Sequence, residues 1–480
     1  VSDPIVTTTE GAVRGSADDA AARFLSIPYA AAPVGAGRFA PPAPPRPRTH
    51  VRDATRPGPT APQPRRDAFG RLDMSPYFGP GWVRGDEYLT VDVWSPRGAE
   101  RSPVLVFVHG GGFVAGSTRA PLYDGTAFAR DGVVLVTLNH RLGVAGFLDL
   151  PGAPRNRGLL DVLAALAWVR RNIAAFGGDP GNVTLAGQSA GATTVAGVLA
   201  DPRAEGLFHR AIVQSGSGLG AFSPEQGSRV TRAVADALGV APDAEGFAEV
   251  PDEDLVSVVP RLAGIDLRTA DHFDPLMGLS PFGLVLDRQP AESRLAGVDL
   301  LVGTNAEEGA LYLAPRGGLA ASTAEDVRAT AARAHRSPDR LVAAYRARLP
   351  DAGPGELRSA ILGDALFGVG ARRLAEAHGG AHVYEFAWRS AALDGRLGAA
   401  HAMELPFVFD RLDVPGLRGP RALLGPEEPP EALAAEMHAA WTAFARTGDP
   451  GWPRFGEGGL IRRFDAVSAT TAEARDLSVW

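Results

Sequence analysis

The 480-residue chain contains no cysteine and no lysine, so all 48 of its Lys+Arg positions are arginine. Without thiols there is no disulfide framework, no cysteine nucleophile, no thiolate zinc site and no cysteine-held iron–sulfur cluster. Without a side-chain amine there is no lysine Schiff base, no phosphate-loop lysine and no Ser-x-x-Lys acylase. The side-chain nucleophiles left are hydroxyls, carboxylates and histidine. Long apolar runs are also missing, and no stretch approaches the roughly 18 uninterrupted apolar residues of a transmembrane helix. Arginines are scattered and the formal net charge is −7, so neither nucleic acid nor an anionic membrane is expected as a partner. The chain starts Val1-Ser2-Asp3, from which no leader is expected to remain. The compartment stays open, with cytoplasm favoured over secretion. The arginine-only, Ala- and Gly-heavy composition points to a bacterium with a GC-rich genome.

What is present is an alternation of short apolar runs and amphipathic stretches. Val104–Val108, Val133–Leu138 and Val183–Gly187 are β-branched runs without polar alternation. Such runs suit strands buried on both faces of a helix-covered sheet. Further strands are expected at Ala211–Gln214, Leu300–Gly303 and His382–Trp388. A helix is expected through Leu159, Leu163, Leu166, Ile173 and Phe176, stopped by Gly177-Gly178-Asp179-Pro180, and another near Glu431–Ala445. The pattern is α/β with a mostly parallel central sheet, whose active site belongs at the carboxyl ends of the strands. No repeat or clean linker divides residues 1–480, which are read as one domain with insertions. The proline-rich stretch Ala40–Arg66 is too long for an ordinary connection.

Directly after the third run stands Gly187-Gln188-Ser189-Ala190-Gly191, a G-x-S-x-G. The pentapeptide alone is weak, since chance supplies on the order of 0.3 such matches here. Its position between an apolar strand and a helix-like stretch makes it a candidate nucleophile elbow. The glycines two before and two after the serine are needed where neighbouring backbone leaves no room for a Cβ. After the first run comes His109-Gly110-Gly111-Gly112-Phe113. Gly111, Gly112 and Ala190 are therefore expected to aim backbone N–H groups at a tetrahedral oxyanion, each donor worth about 2.7–4 kcal/mol in the transition state. His109 is expected to hold the glycine loop rather than act as the base, because the base follows the acid and the serine in this arrangement. Among the later histidines, His401 follows an irregular Gly-containing stretch after a strand, where a base belongs. For the acid, Glu307 and Glu308 both follow Leu300–Gly303, and the residues alone do not choose between them.

These segments resemble the type-B carboxylesterases, the cholinesterase-like branch of the α/β-hydrolases that includes the bacterial para-nitrobenzyl-esterase-like enzymes. The resemblance runs from Thr9-Glu10-Gly11 and Phe24–Ala30, through Pro33-Val34-Gly35, Arg38-Phe39, the glycine loop and the elbow, to His401–Phe409. It implies an α/β-hydrolase fold whose loop and helical insertions form an active-site gorge. It also implies Ser189 as nucleophile, Glu308 as acid and His401 as base, with Ser217 as a serine supporting the triad. Arg38 with Asp86, and Arg141 with Asp161, match structural ion pairs of the family. Three departures stand out. Glu87-Tyr88 replaces an Asp-Cys pair, so the loop disulfide of secreted animal members is absent. Gln188 replaces a common Glu, which argues against choline esters. Ala402 replaces the usual Gly after the histidine.

The expected activity is hydrolysis of small to medium, neutral, hydrophobic carboxylic esters through an acyl-enzyme, with no cofactor and no metal. A biosynthetic acyltransferase or cyclase using the same three residues is the alternative, and a non-catalytic binding protein on this fold is a third reading. A small-molecule ester is the expected partner. Sequence leaves monomer and homodimer equally open.

Overall fold

The computed structural model describes residues 3–456 and 458–480. Among them, eleven strands form one sheet: β1 (Ser16–Ala17), β2 (Ala21–Pro28), β3 (Thr90–Pro96), β4 (Ser102–Val108), β5 (Val134–Leu138), β6 (Gly178–Gln188), β7 (Arg210–Gln214), β8 (Asp299–Asn305), β9 (His382–Phe386), β10 (Leu460–Phe464) and β11 (Ala469–Ala472). Their order is β11-β10-β9-β8-β7-β6-β4-β5-β3-β2-β1. Pairing is parallel from β5 through β4, β6, β7, β8 and β9 to β10. It is antiparallel at both margins, where β3 meets β5, β2 meets β3, and β11 meets β10. This is the α/β-hydrolase fold, a large and mostly parallel sheet flanked by helices.

The apolar runs behave as their composition demands. Along β4, Val104, Val106 and Val108 pack into one core layer, while Leu105 and Phe107 pack into the other. The first layer is closed by helix α1 (Arg157–Asn172), which buries Leu159, Leu163, Leu166 and Trp168. Helix α1 tightens into a 3-10 turn at Ile173–Phe176 and stops at Gly177, whose φ of +81° is open to glycine at little cost. The second layer is closed by a late helix, Glu431–Thr447, through Trp441 and Phe444.

Arg141 and Asp161 pair in full burial, with both side chains 0% exposed. Arg141 donates from Nε and Nη2 to the two carboxylate oxygens at 2.9 and 2.7 Å, and from Nη1 to the carbonyls of Arg38 and Ala40. The pair thereby ties the core to the N-terminal loop. Asp161→Ala leaves a buried guanidinium without its anion and is expected to destabilise the protein by about 3–5 kcal/mol. A chemical-denaturation midpoint unchanged from wild type would refute that. The other expected pair differs. Arg38 binds Asp252 at 2.9 Å and the carbonyls of Ala248 and Val250, not Asp86. The insertion carrying Asp252 lies over Arg38 and supplies a carboxylate that sequence spacing did not reveal.

Tyr88 is buried. The surrounding loop is held by Arg52–Glu87 and Arg84–Glu253 ion pairs and by Arg84 stacked 3.5 Å from the Trp82 ring.

Candidate active site

Strand β6 delivers Gln188, and helix α2 (Ala190–Leu199) begins two residues later. Ser189 sits at the junction with φ +57° and ψ −125°, a conformation that L-residues adopt only under constraint. The flanking glycines explain the constraint. A Cβ on Gly187 would stand 2.7 Å from the Gly191 carbonyl carbon, and one on Gly191 would stand 2.2 Å from the Val108 carbonyl oxygen. The hydroxyl consequently projects into a cavity above the carboxyl ends of the strands.

Ser189 Oγ lies 2.8 Å from His401 Nε2, and His401 Nδ1 lies 2.6 Å from Glu308 Oε2. A carboxylate can only accept, so it holds the proton on Nδ1 and leaves Nε2 to receive the serine proton. The imidazole is stacked on Phe367, with ring centroids 4.3 Å apart and planes 9° apart. Phe367 reaches this place from a π-helical turn, Asp364–Gly368. The neighbouring acid points elsewhere. Glu307 accepts from the Ala399 N–H at 2.9 Å and pairs with Arg389, bracing the loop before the histidine.

The serine that supports the acid is not the expected Ser217. Glu308 Oε1 accepts from Ser215 Oγ at 2.5 Å and from the Asn305 N–H at 2.7 Å. Ser217 instead accepts from the Leu219 N–H and lines the cavity. Ser215 stands at the first position beyond β7, its N–H donating to the Gly303 carbonyl of β8 at 2.8 Å. A place just past a strand end, the signal that singled out the glutamates, marks this residue too. A third carboxyl, Glu404, is wholly buried and accepts from Asn305 Nδ2 and Gln214 Nε2. Burial first, and then the field of Glu308, push its pKa up to about 7. No motif marked it. Ala402 has φ +68°, a left-handed conformation that costs an alanine on the order of 1 kcal/mol more than glycine.

The glycine loop is tied back by its carbonyls. His109 Nδ1–H donates to Gly110 O at 2.8 Å, Arg66 Nη1 to Gly111 O at 3.1 Å, and Ser280 Oγ to Gly112 O at 2.7 Å. With the carbonyls engaged, the N–H groups of Gly111, Gly112 and Ala190 have no protein acceptor among the described residues. His109 is buried against His140, their rings stacked 4.8 Å apart. Burial and that neighbour press the His109 pKa down to about 3, so it works as a neutral brace.

The cavity encloses about 950 Å³ including its mouth. Its walls are mostly apolar, with Met74, Phe78, Phe113, Leu276, Leu311 and Phe367 among them. Met74 and Phe78 come from the continuation of the proline-rich stretch, and that stretch itself contributes Arg66. It is thus no mere surface excursion, since Thr60, Ala61 and Gln63 are buried and Gln63 clasps the backbone of Gly116. Among the described residues no His, Asp and Glu side chains group as metal ligands would, and no helix is long and apolar enough to cross a membrane.

Gln188 is buried with Nε2 3.3 Å from His401 Nε2. A carboxylate there would stabilise the imidazolium. Gln188→Glu is therefore expected to move the acid limb of the kcat/KM profile upward by about one pH unit. It should also favour a cationic ester over its neutral isostere by about tenfold. Unchanged profiles on both esters would show that the amide plays no electrostatic part.

A model of the carboxylesterase family matches residues 2–457. The para-nitrobenzyl esterase of Bacillus subtilis is 35% identical over 474 residues, covering 94% of this chain and 93% of the relative. The phenmedipham hydrolase of Pseudarthrobacter oxydans is 35% identical over 480 residues, covering 95% and 93%. A fumonisin B1 esterase of Sphingopyxis macrogoltabida is 33% identical, covering 95% and 85%. Among solved structures, a para-nitrobenzyl esterase superposes with a TM-score of 0.82 at 33% identity over 98% of this chain and 97% of that one. A carboxylesterase of Geobacillus stearothermophilus gives a TM-score of 0.83 at 33% identity over 97% of each.

Proposed function

Because this chain belongs to the carboxylesterase family, a family of serine ester hydrolases acting on small-molecule esters, we propose that Ser189, His401 and Glu308 carry its ester hydrolysis. Ser189 Oγ attacks the ester carbonyl while His401 Nε2 takes its proton. Glu308 keeps the imidazole in the right tautomer and stabilises the imidazolium. The oxyanion is received by the N–H groups of Gly111, Gly112 and Ala190. Collapse of the intermediate breaks the bond to the alcohol oxygen, which takes the proton from Nε2. Water, deprotonated by the same nitrogen, then attacks the acyl-Ser189 ester and releases the acid. The observation that carries this reading is the hydrogen-bonded row at 2.8 and 2.6 Å opening on three uncommitted backbone donors. The mostly apolar walls favour medium-sized hydrophobic esters. We also propose that residues 1–480 act as one domain, since the central sheet draws strands from Ser16 to Ala472.

A fluorophosphonate is expected to label one site per chain, and peptide mapping should locate it at Ser189. Rapid mixing with an aryl ester should give a burst of phenolate when deacylation is the slower step. Labelling elsewhere, with activity lost, would overturn the assignment.

A further inference from the structure

Arg66 lines the cavity from the end of the proline-rich stretch, and beyond the one N–H it lends to the glycine loop, its charge and remaining donors have no use in hydrolysis of a neutral ester. Of its five N–H donors, only one at Nη1 has a protein acceptor among the described residues, the Gly111 carbonyl at 3.1 Å. It forms no ion pair among them. The ionisable groups that act on its charge are Tyr312 and Arg316, not carboxylates. Arg316 also has no carboxylate partner among the described residues, and the two guanidinium groups lie 6.0 and 5.3 Å from the ring centre of Phe69 at the cavity rim. Gln188, which also lines the cavity, adds a neutral amide and no negative charge. Burial holds the Arg66 guanidinium below the usual arginine range, the direction expected where no anion compensates it. A planar cation with unused donors, half-buried among apolar walls, is a poor structural device and a good carboxylate fork. Its seat is defined: a Cβ on Gly112 would stand 3.3 Å from Nη1. An anion held by Arg66 thus lies within a few bonds of a carbonyl seated on the glycine loop.

We propose that Arg66 is a specificity-determining residue through which the esterase accepts esters bearing a carboxylate close to the scissile carbonyl, such as half-esters of short dicarboxylic acids. This adds an anionic class to the neutral hydrophobic esters, and it rests on the esterase reading above.

The test compares the mono-para-nitrophenyl ester of glutaric acid with its isosteric primary amide, at fixed ionic strength, in wild type, Arg66→Gln and Arg66→Met. In wild type, kcat/KM for the half-ester is expected to exceed that for the amide by about tenfold, mostly through KM. Both variants should bring the ratio of the two values toward one. The glutamine can still donate to Gly111 O, so its ratio separates charge recognition from support of the loop. If wild type treats the two esters alike, the proposal falls while the esterase reading stands. If the variants lower both values in proportion and keep the ratio, Arg66 only braces the loop and the proposal falls. Turnover of both esters persisting in Ser189→Ala would instead overturn the esterase assignment, and this proposal with it.

Discussion

Ser189→Ala is expected to lower kcat for a neutral aryl ester by at least about 10⁴-fold, with fold and thermal midpoint close to wild type. The magnitude follows from what is removed. In the proposed mechanism Oγ forms the covalent bond to the acyl group, and among the described residues Ser189 supplies the hydroxyl that lies 2.8 Å from His401 Nε2. Loss of the nucleophile in comparable triads costs about 10⁶-fold, with a residue of about 10³–10⁴ over water left by the oxyanion donors and binding. The donors at Gly111, Gly112 and Ala190 survive the substitution because all are backbone groups. The residual rate of the variant therefore measures what the backbone donors and substrate binding supply without the nucleophile. Alanine inherits the same φ of +57° and no new contact, so stability should move little. The measurement is steady-state turnover alongside fluorophosphonate labelling and thermal unfolding. Retention of a tenth of wild-type activity in a folded variant would mean that another group makes the acyl bond.

Glu308→Gln is expected to lower kcat/KM by about 10⁴-fold, whereas Glu307→Gln should cost about tenfold or less. Adjacent in sequence, the two acids face different partners. Glu308 lies 2.6 Å from His401 Nδ1. An amide there can present its NH₂ to Nδ1, which drives the proton to Nε2 and disarms the base, and a neutral group no longer stabilises the imidazolium. The Glu307 carboxylate accepts from the Ala399 N–H and pairs with Arg389. Its loss loosens the loop that carries His401 without changing the tautomer. Comparing kcat/KM of the two variants at equal folded fraction settles the order of importance. Equal losses would mean that Glu308 acts through the loop and not through the imidazole.

The two variants mark where sequence reading stopped. Val104–Val108, Val133–Leu138 and Val183–Gly187 were legible as buried strands because residues with apolar side chains on both faces leave no other packing. The margins of the sheet were not. Ala21–Pro28 and Thr90–Pro96 mix charged, hydroxyl and proline residues with apolar ones, Ala469–Ala472 is exposed throughout, and their pairing is decided by the neighbour they meet. The insertion from Ala221 to Arg288 was equally silent, although helix Pro224–Leu238 carries a readable capping box at Ser223 and Gln226. Its consequences are tertiary: Asp252 reaches Arg38, while Leu276 and Ser280 reach the cavity.

Sequence by itself determined which chemistries are open to this protein: no thiol, no side-chain amine, and as candidates one serine on a glycine-flanked strand-to-helix turn and a late histidine. These are local properties, set by residue type and by steric limits over five residues or fewer. Only the tertiary structure decided the choice of Glu308 over Glu307 from geometry, the support by Ser215 rather than Ser217, and the turning of Arg66 into the site. Those choices depend on distances between segments that lie from tens to hundreds of residues apart. A hydrogen bond or an unpaired charge exists only once the packed core has brought such segments together.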